Sequence, residues 1–366
     1  MSDKNSAPST HAGYIPSPNI PKDRLPKLEG KTILITGGAG FIGSSLVAYF
    51  RAHHPGARII VLDKFRDGTF FPSGNPSSLG HFKNLIGFDG DILALDINDG
   101  LEMLEALHFD YVFHEAAVSD TTLENQKLMI KTNHHAFLEL LHITLKKGAR
   151  MIYASSAGTY GNTPAPNRIG FGEEPENIYG FSKLAMDNSV RKILANEPSA
   201  PIIGLRYFNV YGAREYYKGK TASMILQLGL QALESKKVKL FEFGEQRRDF
   251  VYIDDVVAAN VLAMSAPKGG IYNVGSGVSR SFNDIIAILQ KELSALAKAK
   301  NLADLGDFEL EYIKNPYSFF QTHTQADLSL SKAELGYESA FSLEEGIKAY
   351  IPEIYRIYEN LKARGK

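Results

Sequence analysis

The feature that most constrains the fold is a glycine-rich turn between an apolar strand and a helix. Residues 32–36 (TILIT) form a continuous apolar run, and residues 37–43 (GGAGFIG) follow it directly and open an amphipathic pattern. Gly37 and Gly40 allow a tight turn whose backbone can approach a pyrophosphate closely, and Gly43 lets the helix pack against the strand. The helix N-terminus then faces the anion.

An acidic residue ends the next predicted strand. This residue, Asp63, lies 20 positions after Gly43. A carboxylate there can accept hydrogen bonds from the adenosine ribose hydroxyls, so the combined pattern predicts a dinucleotide site. Lys64 and Arg66 follow at once and could neutralise a 2′-phosphate, although both read equally well as solvated loop charges. The residues themselves leave NADP and NAD open.

Apolar strands alternate with amphipathic helices over most of the chain, which predicts a parallel sheet covered on both faces. The predicted strands are 32–36, 58–63, 92–97, 111–117, 150–155 and 201–207. The predicted helices include 40–54, 123–146 and a helix from Tyr179 to about Ala195. Beyond Gly212 the order loosens into helices 221–235, 253–265 and 282–299, strands 238–243 and 270–274, and a terminal helix from Ser342.

We therefore expect an α/β fold, a Rossmann-type doubly wound parallel sheet with a smaller C-terminal α/β substrate-binding lobe. Residues 1–29 are rich in proline and lack periodicity, so we expect an extended or disordered tail. Residues 30–205 are expected to bind the dinucleotide. Residues 206–366 should form most of the substrate lobe, with residues from about 250 to 275 returning to the first domain.

Composition excludes several classes of function. The 366 residues are 44% hydrophobic and 22% charged, typical of one large globular domain or two intimate ones. A net charge of −1 is a poor basis for binding nucleic acid or an anionic membrane, and the absence of cysteine excludes disulfides and thiolate metal sites. We expect a cytoplasmic protein without a membrane span. The histidine pairs 53–54 and 134–135 point apart on helices, so no metal is expected.

A tyrosine and a lysine four residues apart, Tyr179 and Lys183, open the helix that follows the fifth predicted strand. On one helical face the ammonium lies near the phenol, which is expected to lower the tyrosine pKa from about 10. Such a phenol suits a general base that takes a proton from an alcohol while hydride leaves the carbon. The same spacing occurs at Tyr216/Lys220 and Tyr358/Lys362. Ser155 and Ser156 end the preceding strand and are predicted to point at the same site, which favours the first pair.

Five motifs resemble the extended short-chain dehydrogenase/reductase family, over a match that runs from about Lys31 to the C-terminus. They are TGGAGFIG (36–43), FHEAA (113–117), YASSAGTYG (153–161), YGFSK (179–183) and RYFNVYG (206–212). Within that family, residues 212–223, 240–242, 247–252 and 324–328 are most similar to ADP-L-glycero-D-manno-heptose 6-epimerases. Those enzymes make the heptose donor for lipopolysaccharide core.

The resemblance implies a redox-neutral isomerase with a tightly bound nicotinamide cofactor, NADP by preference and NAD as the alternative. Hydride leaves C6″ of the sugar nucleotide and returns to the opposite face of the resulting ketone. The implied catalytic residues are Tyr179, Lys183, Ser156 and, from the family's RExxKG segment, Lys218. On the residues alone, Lys218 reads equally well as an exposed loop lysine.

Two related reactions are weighed against this one. Sugar 4,6-dehydratases place an Asp-Glu pair after the strand serine, and Ala157 and Gly158, which move no proton, stand there instead. A UDP-hexose 4-epimerase shares the serine, tyrosine and lysine but does not need Lys218, and it remains the alternative. A cofactor-sensing protein without turnover is disfavoured, because the Tyr179 and Lys183 pair is intact.

The resemblance also assigns binding residues. Those expected at the cofactor are Gly37, Gly40, Phe41, Ile42, Gly43, Asp63, Lys64, Asp96, Ile97, Glu115, Ala116, Ala117, Asn133, Tyr179, Lys183 and Val210. Those expected at the nucleotide-diphosphate sugar are Ser119, Ser156, Asn209, Lys218, Lys220, Phe241, Glu242, Arg248, Tyr317 and Phe320. Arg248 is the best candidate for the diphosphate. Lys220 and Gln227 replace a serine and a histidine of better-known members, and the family precedent is a homo-oligomer.

Overall fold

The computed structural model describes residues 14–314 and 322–365, and its centre is one large parallel sheet. The strands are β1 (Thr32–Thr36), β2 (Arg58–Asp63), β3 (Asp91–Ala94), β4 (Tyr111–His114), β5 (Arg150–Ser156), β6 (Ile202–Tyr207), β7 (Asn209–Tyr211), β8 (Lys237–Phe241), β9 (Arg247–Tyr252), β10 (Gly270–Val274), β11 (Ser279–Ser281) and β12 (Glu309–Ile313). Seven of them pair in the order β10-β6-β5-β4-β1-β2-β3, and every pairing is parallel. The predicted Rossmann-type doubly wound sheet is confirmed.

Helices cover both faces of this sheet. They are α1 (Phe41–His53), α2 (Gln126–Ile130), α3 (Ala136–Lys146), α4 (Ile178–Asn196), α5 (Met224–Ser235), α6 (Ile253–Ala263), α7 (Phe282–Lys300) and α8 (Leu343–Ala363). Along β1, Ile33 and Ile35 join the hydrophobic core on one side and Leu34 joins the core on the other. Because side chains alternate along a strand, a continuous apolar strand can serve both cores.

Several predicted elements differ from the structure in their bounds; the strand predicted at 92–97, for example, spans Asp91–Ala94. The strand predicted to end at Ala117 ends at His114, so residues 115–117 leave the sheet. The predicted helix 123–146 is split by a π-helical turn, Lys131–His135, between α2 and α3. The helix predicted from residue 221 begins at Met224, because the Ser223 hydroxyl accepts the Leu226 N–H and caps it.

The C-terminal part of the chain contributes to both regions. Strand β10 pairs with β6 at the edge of the main sheet, and α6 packs against α1. The other C-terminal strands build two small sheets, in the orders β11-β9-β7 and β12-β8. These small sheets and helices α5, α7 and α8 lie beyond the carboxyl-end side of the sequence-predicted dinucleotide domain.

The described part of the N-terminal tail, residues 14–29, lies against the body of the protein. The Tyr14 hydroxyl contacts the Asp254 carboxylate and lies 3.0 Å from the Tyr252 hydroxyl, at the start of α6. The backbone N–H of Ser17 donates to Asp254, and Leu28 is buried in the core. Within the described ranges, none of the helices combines the length and apolar character that a membrane crossing requires.

Candidate active site

A cavity of about 430 Å³ opens where β1, β2, β4 and β5 end. Ligands of doubly wound sheets bind at this edge, because the loops that leave adjacent strands diverge there. Of the residues predicted at the cofactor, all but Asn133 line the cavity. Of those predicted at the substrate, the cavity is lined by Ser119, Ser156 and Lys218.

The glycine turn has the geometry that its sequence predicts. Gly37 adopts φ +68°, and a Cβ there would lie 2.7 Å from the backbone nitrogen of Ala116 on the neighbouring crossover. A Cβ on Gly43 would lie 2.3 Å from the Gly37 carbonyl oxygen, so helix and turn touch at this point. Among the described residues, no side chain caps Gly40, the residue before α1. The helix N-terminus is thus left facing the cavity, as an anion site requires.

Asp63 lies beside this turn and is held by backbone amides. Its two carboxylate oxygens accept from the N–H groups of Ala39 (3.0 Å) and Phe65 (2.8 Å). Burial raises its pKa, and these bonds oppose the rise. Lys64 also lines the cavity and forms a 3.2 Å ion pair with Asp96. The turn, the free helix end and this acid together fit a dinucleotide.

Arg66, the second cation considered for a 2′-phosphate, does not line this cavity. Its guanidinium donates to the Tyr217 carbonyl and faces a separate depression that His81, Lys83 and Arg364 share. Of the two cations considered for a 2′-phosphate, Lys64 is therefore the one that lines the cavity.

The Tyr179 and Lys183 side chains both reach the cavity from the first turns of α4. Asn177 caps this helix by accepting the Gly180 N–H (2.8 Å), which sets the helix start two residues before the tyrosine. Lys183 is buried, and its ammonium donates to the Ala154 carbonyl of β5 (2.7 Å). Ser156 also lines the cavity, and its hydroxyl accepts the Gly158 N–H (3.0 Å).

The expected lowering of the tyrosine pKa is corrected by the structure. Burial of the phenol raises the pKa of Tyr179, and the nearby Glu115 carboxylate adds to the rise against a bond with Ser156. Burial also lowers the pKa of Lys183 to about 8. The four-residue spacing predicts that the two side chains share one helical face, but it carries no information about burial. Desolvation of the phenol decides the direction of the pKa shift.

Ser155 lines the cavity, as predicted, and its hydroxyl is also part of a buried network. Its hydroxyl donates to the buried Asp187 carboxylate (2.9 Å), which also accepts from the Tyr153 hydroxyl (2.8 Å) and pairs with Arg206 (2.8 Å). Of the two strand serines, Ser156 is the one with its hydroxyl outside this buried network.

Glu115 is a buried acid beside the catalytic pair. Its carboxylate accepts from the Tyr207 hydroxyl (2.9 Å), and Tyr207 in turn bonds Asn260. Burial raises the pKa of Glu115 to about 7, opposed by the bond with Tyr207 and by the charge of Lys183. Glu115 therefore has a pKa near neutrality, and its charge acts on both Tyr179 and Lys183.

Lys218 comes to the cavity from a separate part of the chain, the 3₁₀ segment Tyr216–Thr221. Its ammonium lies 5.4 Å from the centroid of the Phe41 ring, at the start of α1. Burial lowers its pKa, and Glu215 opposes the shift. Lys218 is thus a partly desolvated cation in the same cavity as Tyr179, not a solvated loop lysine.

The remaining predicted residues lie outside the cavity. Asn133 is buried and bonds the backbone of Val118 through both its amide groups (2.8 and 2.9 Å), which fixes the segment after β4. Asn209, Lys220, Phe241 and Arg248 do not line the cavity, and the Glu242 side chain, Tyr317 and Phe320 fall outside what the structure describes. The Gln227 amide donates to the carbonyls of Lys220 and Ala222, so this departure from the family pattern has a structural role.

Arg248, on β9, forms no ion pair with a carboxylate that the structure describes. Burial alone lowers its pKa to about 10, and its Nη1 donates to the Arg247 carbonyl (2.9 Å). Such a group is suited to receive an anion.

One wall of the cavity was missed at the level of sequence. Thr69, Phe71 and residues 77–80 line it, all from the loop after β2. Asp120 anchors this loop by accepting from Ser73 (2.5 Å) and Asn75 (3.0 Å). The available signal was position, because a loop that follows Asp63 directly must lie at the ligand-binding edge of the sheet. Elsewhere in the described residues, no three histidine or acidic side chains gather as a metal site.

Comparison with known proteins agrees with this arrangement. The model of the NAD dependent epimerase/dehydratase family matches residues 33–275. A Helicobacter pylori ADP-L-glycero-D-manno-heptose-6-epimerase structure is 55% identical, covers 89% of this chain and 97% of its own, and superposes with a TM-score of 0.79.

Two other solved structures are more distant in sequence. The UDP-glucose 4-epimerase of Thermotoga maritima, with UDP-glucose, is 29% identical, with coverage of 89% and 99% and a TM-score of 0.75. The UDP-glucuronic acid 4-epimerase of Bacillus cereus, with UDP-glucuronic acid and NAD, is 26% identical, with coverage of 89% and 100% and a TM-score of 0.72.

Proposed function

The chain belongs to the NAD-dependent epimerase/dehydratase family and is an epimerase, and from this premise we propose that it inverts C6″ of an ADP-glycero-manno-heptose. One observation carries the proposal: Lys218 and Tyr179 reach one cavity from different segments of the chain. A sugar that presents first one face and then the other needs an acid/base group on each side of the reacting carbon. The product would serve as heptose donor for lipopolysaccharide core.

Tyr179 is the acid/base group on one side of the reacting carbon. Bound nicotinamide supplies the acceptor, and later the donor, of one hydride. The Tyr179 phenolate takes the hydroxyl proton as the carbon becomes a ketone, and Ser156 donates to the sugar oxygen. Lys183 stabilises the phenolate before it accepts that proton. The ammonium of Lys183 is held by the Ala154 carbonyl, so it is in place before the proton moves.

Lys218 is the acid/base group on the other side. Once the ketone has turned over in the site, hydride returns to the opposite face and an ammonium proton of Lys218 completes the new hydroxyl. Its burial supports this role, because a lowered pKa eases proton loss and return near neutral pH. No net oxidation results. Tyr179 has gained a proton and Lys218 has lost one, and exchange of one proton with water at each group restores both before the next turnover.

The substrate's diphosphate is expected at Arg248. A half-buried guanidinium without a carboxylate partner among the described residues gains charge-assisted hydrogen bonds when an anion binds. We propose NADP as the cofactor, supported by Lys64 at the ribose end of the cavity; Asp63 would then serve the adjacent hydroxyl. Mass spectrometry of the dinucleotide released from denatured protein distinguishes NADP from NAD.

The direct test follows the C6″ configuration of ADP-D-glycero-D-manno-heptose by NMR. We expect the L-glycero epimer to form without deuterium at C6″ in D₂O, because the same hydride returns to carbon. Solvent deuterium at that carbon would refute the redox route. With cofactor bound, an unchanged heptose together with interconversion of UDP-glucose and UDP-galactose would move the assignment to the 4-epimerase.

Variants test the two-sided arrangement. Tyr179→Phe and Lys218→Met should each lower kcat by about 10²–10⁴-fold, the usual contribution of a positioned acid/base group. The control is Lys146→Met, which removes an exposed lysine on α3 that pairs with Glu105 far from the cavity. Lys218→Met with the kcat of the control would contradict the role of Lys218 and favour 4-epimerisation.

A further inference from the structure

We propose that Arg214 is a positioning residue, which holds the Lys218 segment in register with the glycine turn and with the N-terminal tail. The inference deepens the proposed function and rests on it. Arg214 does not line the cavity. It acts through two backbone carbonyls, those of Asn84 and Tyr14, which lie far from it in sequence.

The Arg214 guanidinium is buried and is held by carbonyl oxygens. The side chain is 8% exposed, Nη1 donates to the Asn84 carbonyl (2.6 Å), and Nη2 donates to the Tyr14 carbonyl (3.0 Å). Within the described residues no carboxylate forms an ion pair with it, although Glu353 acts on it at longer range. A buried cation is costly unless well bonded, so these two carbonyls are what retain it.

Asn84 connects this guanidinium to the glycine turn. Its side-chain amide donates to the carbonyls of Ala39 (3.1 Å) and Gly40 (3.5 Å), and the residue is 3% exposed. The next residue of the turn is Phe41, whose ring the Lys218 ammonium faces. The hydrogen bonds from Arg214 through Asn84 therefore reach Gly40, and Lys218 contacts the ring of the next residue, Phe41.

Glu215 holds the other side of the same segment. Its buried carboxylate accepts from the Gly212 N–H (3.2 Å), the Ser223 N–H (2.6 Å) and the Ser223 hydroxyl (2.7 Å). The Lys218 N–H then donates to the Glu215 carbonyl (2.9 Å). Arg214 fastens the segment to the dinucleotide-binding region, and Glu215 fastens it to the start of α5. Lys218 lies between the two.

Backbone geometry agrees with a held segment. Arg214 adopts φ +77°, a left-handed conformation that is unfavourable for a residue with a Cβ and persists only when surrounding contacts impose it. The tail contributes one of those contacts. Tyr14 is itself anchored by its hydroxyl on Asp254, so its carbonyl has a defined position for Arg214.

The test compares Arg214→Met and Arg214→Lys with Arg24→Met in the full, cofactor-loaded chain. Arg24 is the matched control, because it also ties the tail to a carbonyl, that of Leu335 (2.8 Å), but away from the Lys218 segment. We expect Arg214→Met to lower kcat by about tenfold to a hundredfold with little change in KM, since small misplacement of a reacting group has effects of that size. Arg214→Lys should recover only part, because one ammonium does not span two carbonyls in the fixed fork of a guanidinium.

A second readout does not depend on turnover. The pH dependence of Lys218 acylation, followed by peptide mass spectrometry, reports the pKa of its ammonium. Loosening the segment should expose Lys218 and move that pKa up towards its ordinary value of about 10.4. Tyr14→Ala, which removes only the tail anchor, should change kcat and the labelling pKa in the same direction as Arg214→Met but to a smaller extent. It replaces Arg214→Met as the test variant if Arg214→Met does not fold.

The possible outcomes are distinct. The positioning role would be overturned if Arg214→Met kept the wild-type kcat and the wild-type Lys218 labelling pKa. If Tyr14→Ala has to replace that variant, the same result in Tyr14→Ala would overturn it. Equal effects in Arg24→Met would overturn it as well, because they would indicate general destabilisation. If the wild-type protein leaves ADP-heptose unchanged, the proposed function fails, and Lys218 labelling still decides whether Arg214 positions that residue.

Discussion

Replacing Asp187 by asparagine tests the buried charge network behind the catalytic pair. Asp187 and Arg206 are both fully buried, with Arg206 Nε and Nη2 each 2.8 Å from the same carboxylate oxygen. Asp187→Asn keeps the shape but removes the negative charge, and its NH2 group faces the donors on one side, either Tyr153 or Ser155 with Arg206. Arg206 would keep only Glu173, whose carboxylate lies 2.7 Å from its Nη1.

The size of the effect follows from that burial. Breaking a buried ion pair by removing one partner costs about 3–5 kcal/mol, and retained contact with Glu173 favours the lower half of that range. At an unfolding entropy of about 2.1 cal/mol/K per residue, a chain of this length loses roughly 4–5 °C in Tm for such a change. Tm should be measured by calorimetry at one saturating dinucleotide concentration, so that ligand binding stabilises all variants equally.

Asp89→Asn is the matched control. Asp89 pairs with Arg51 at the same 2.8 Å, but both side chains are largely exposed, at 78% and 47%. Exposed pairs are screened by solvent and contribute little to stability, so its Tm should fall by no more than about 1 °C. Equal Tm changes in the two variants would refute the reasoning that burial, and not contact distance, determines the contribution of the Asp187 pair.

Three further predictions concern the site. Gly43→Ala should purify with little dinucleotide, because the new Cβ would lie 2.3 Å from the Gly37 carbonyl oxygen. Absorbance at 260 nm after denaturation measures the dinucleotide content, and full occupancy would contradict the close contact. Glu115→Gln should raise Tm more at pH 8 than at pH 4, because a folded pKa of about 7 against 4.5 unfolded makes wild-type stability fall as pH rises through that window. A difference independent of pH would contradict this. Arg248→Gln should raise KM by about 10–100-fold, the value of a hydrogen bond to a charged group, with a smaller change in kcat in steady-state assays. An unchanged KM would remove Arg248 from the diphosphate site.

Much of the fold could be predicted because its signals are local. Strand β10 was predicted at 270–274 and is observed there, and β1 and β2 likewise match their predicted bounds. Continuous apolar runs identify strands buried on both faces, and such runs need no knowledge of distant partners. Strands β7, β9, β11 and β12 were missed; β7 and β11 have only three residues each, which leaves too little pattern.

The candidate site divides in the same way. Gly37, Gly43, Asp63, Tyr179 and Lys183 could be identified because their roles depend on neighbours within one turn, helix or strand end. The sequence by itself thus predicted these residues of the candidate dinucleotide site and the tyrosine–lysine pair, and the structure brings them to one cavity.

Only the tertiary structure decided how the rest of the site is composed. It placed Lys218 in the cavity, committed Ser155 to Asp187 and Arg66 to Tyr217, and added the loop after β2 as a wall. It also reversed the expected direction of the tyrosine pKa. The reason is physical: contacts between distant segments and the loss of water on burial depend on how the whole chain packs, whereas helical spacing and strand ends depend on a few consecutive residues.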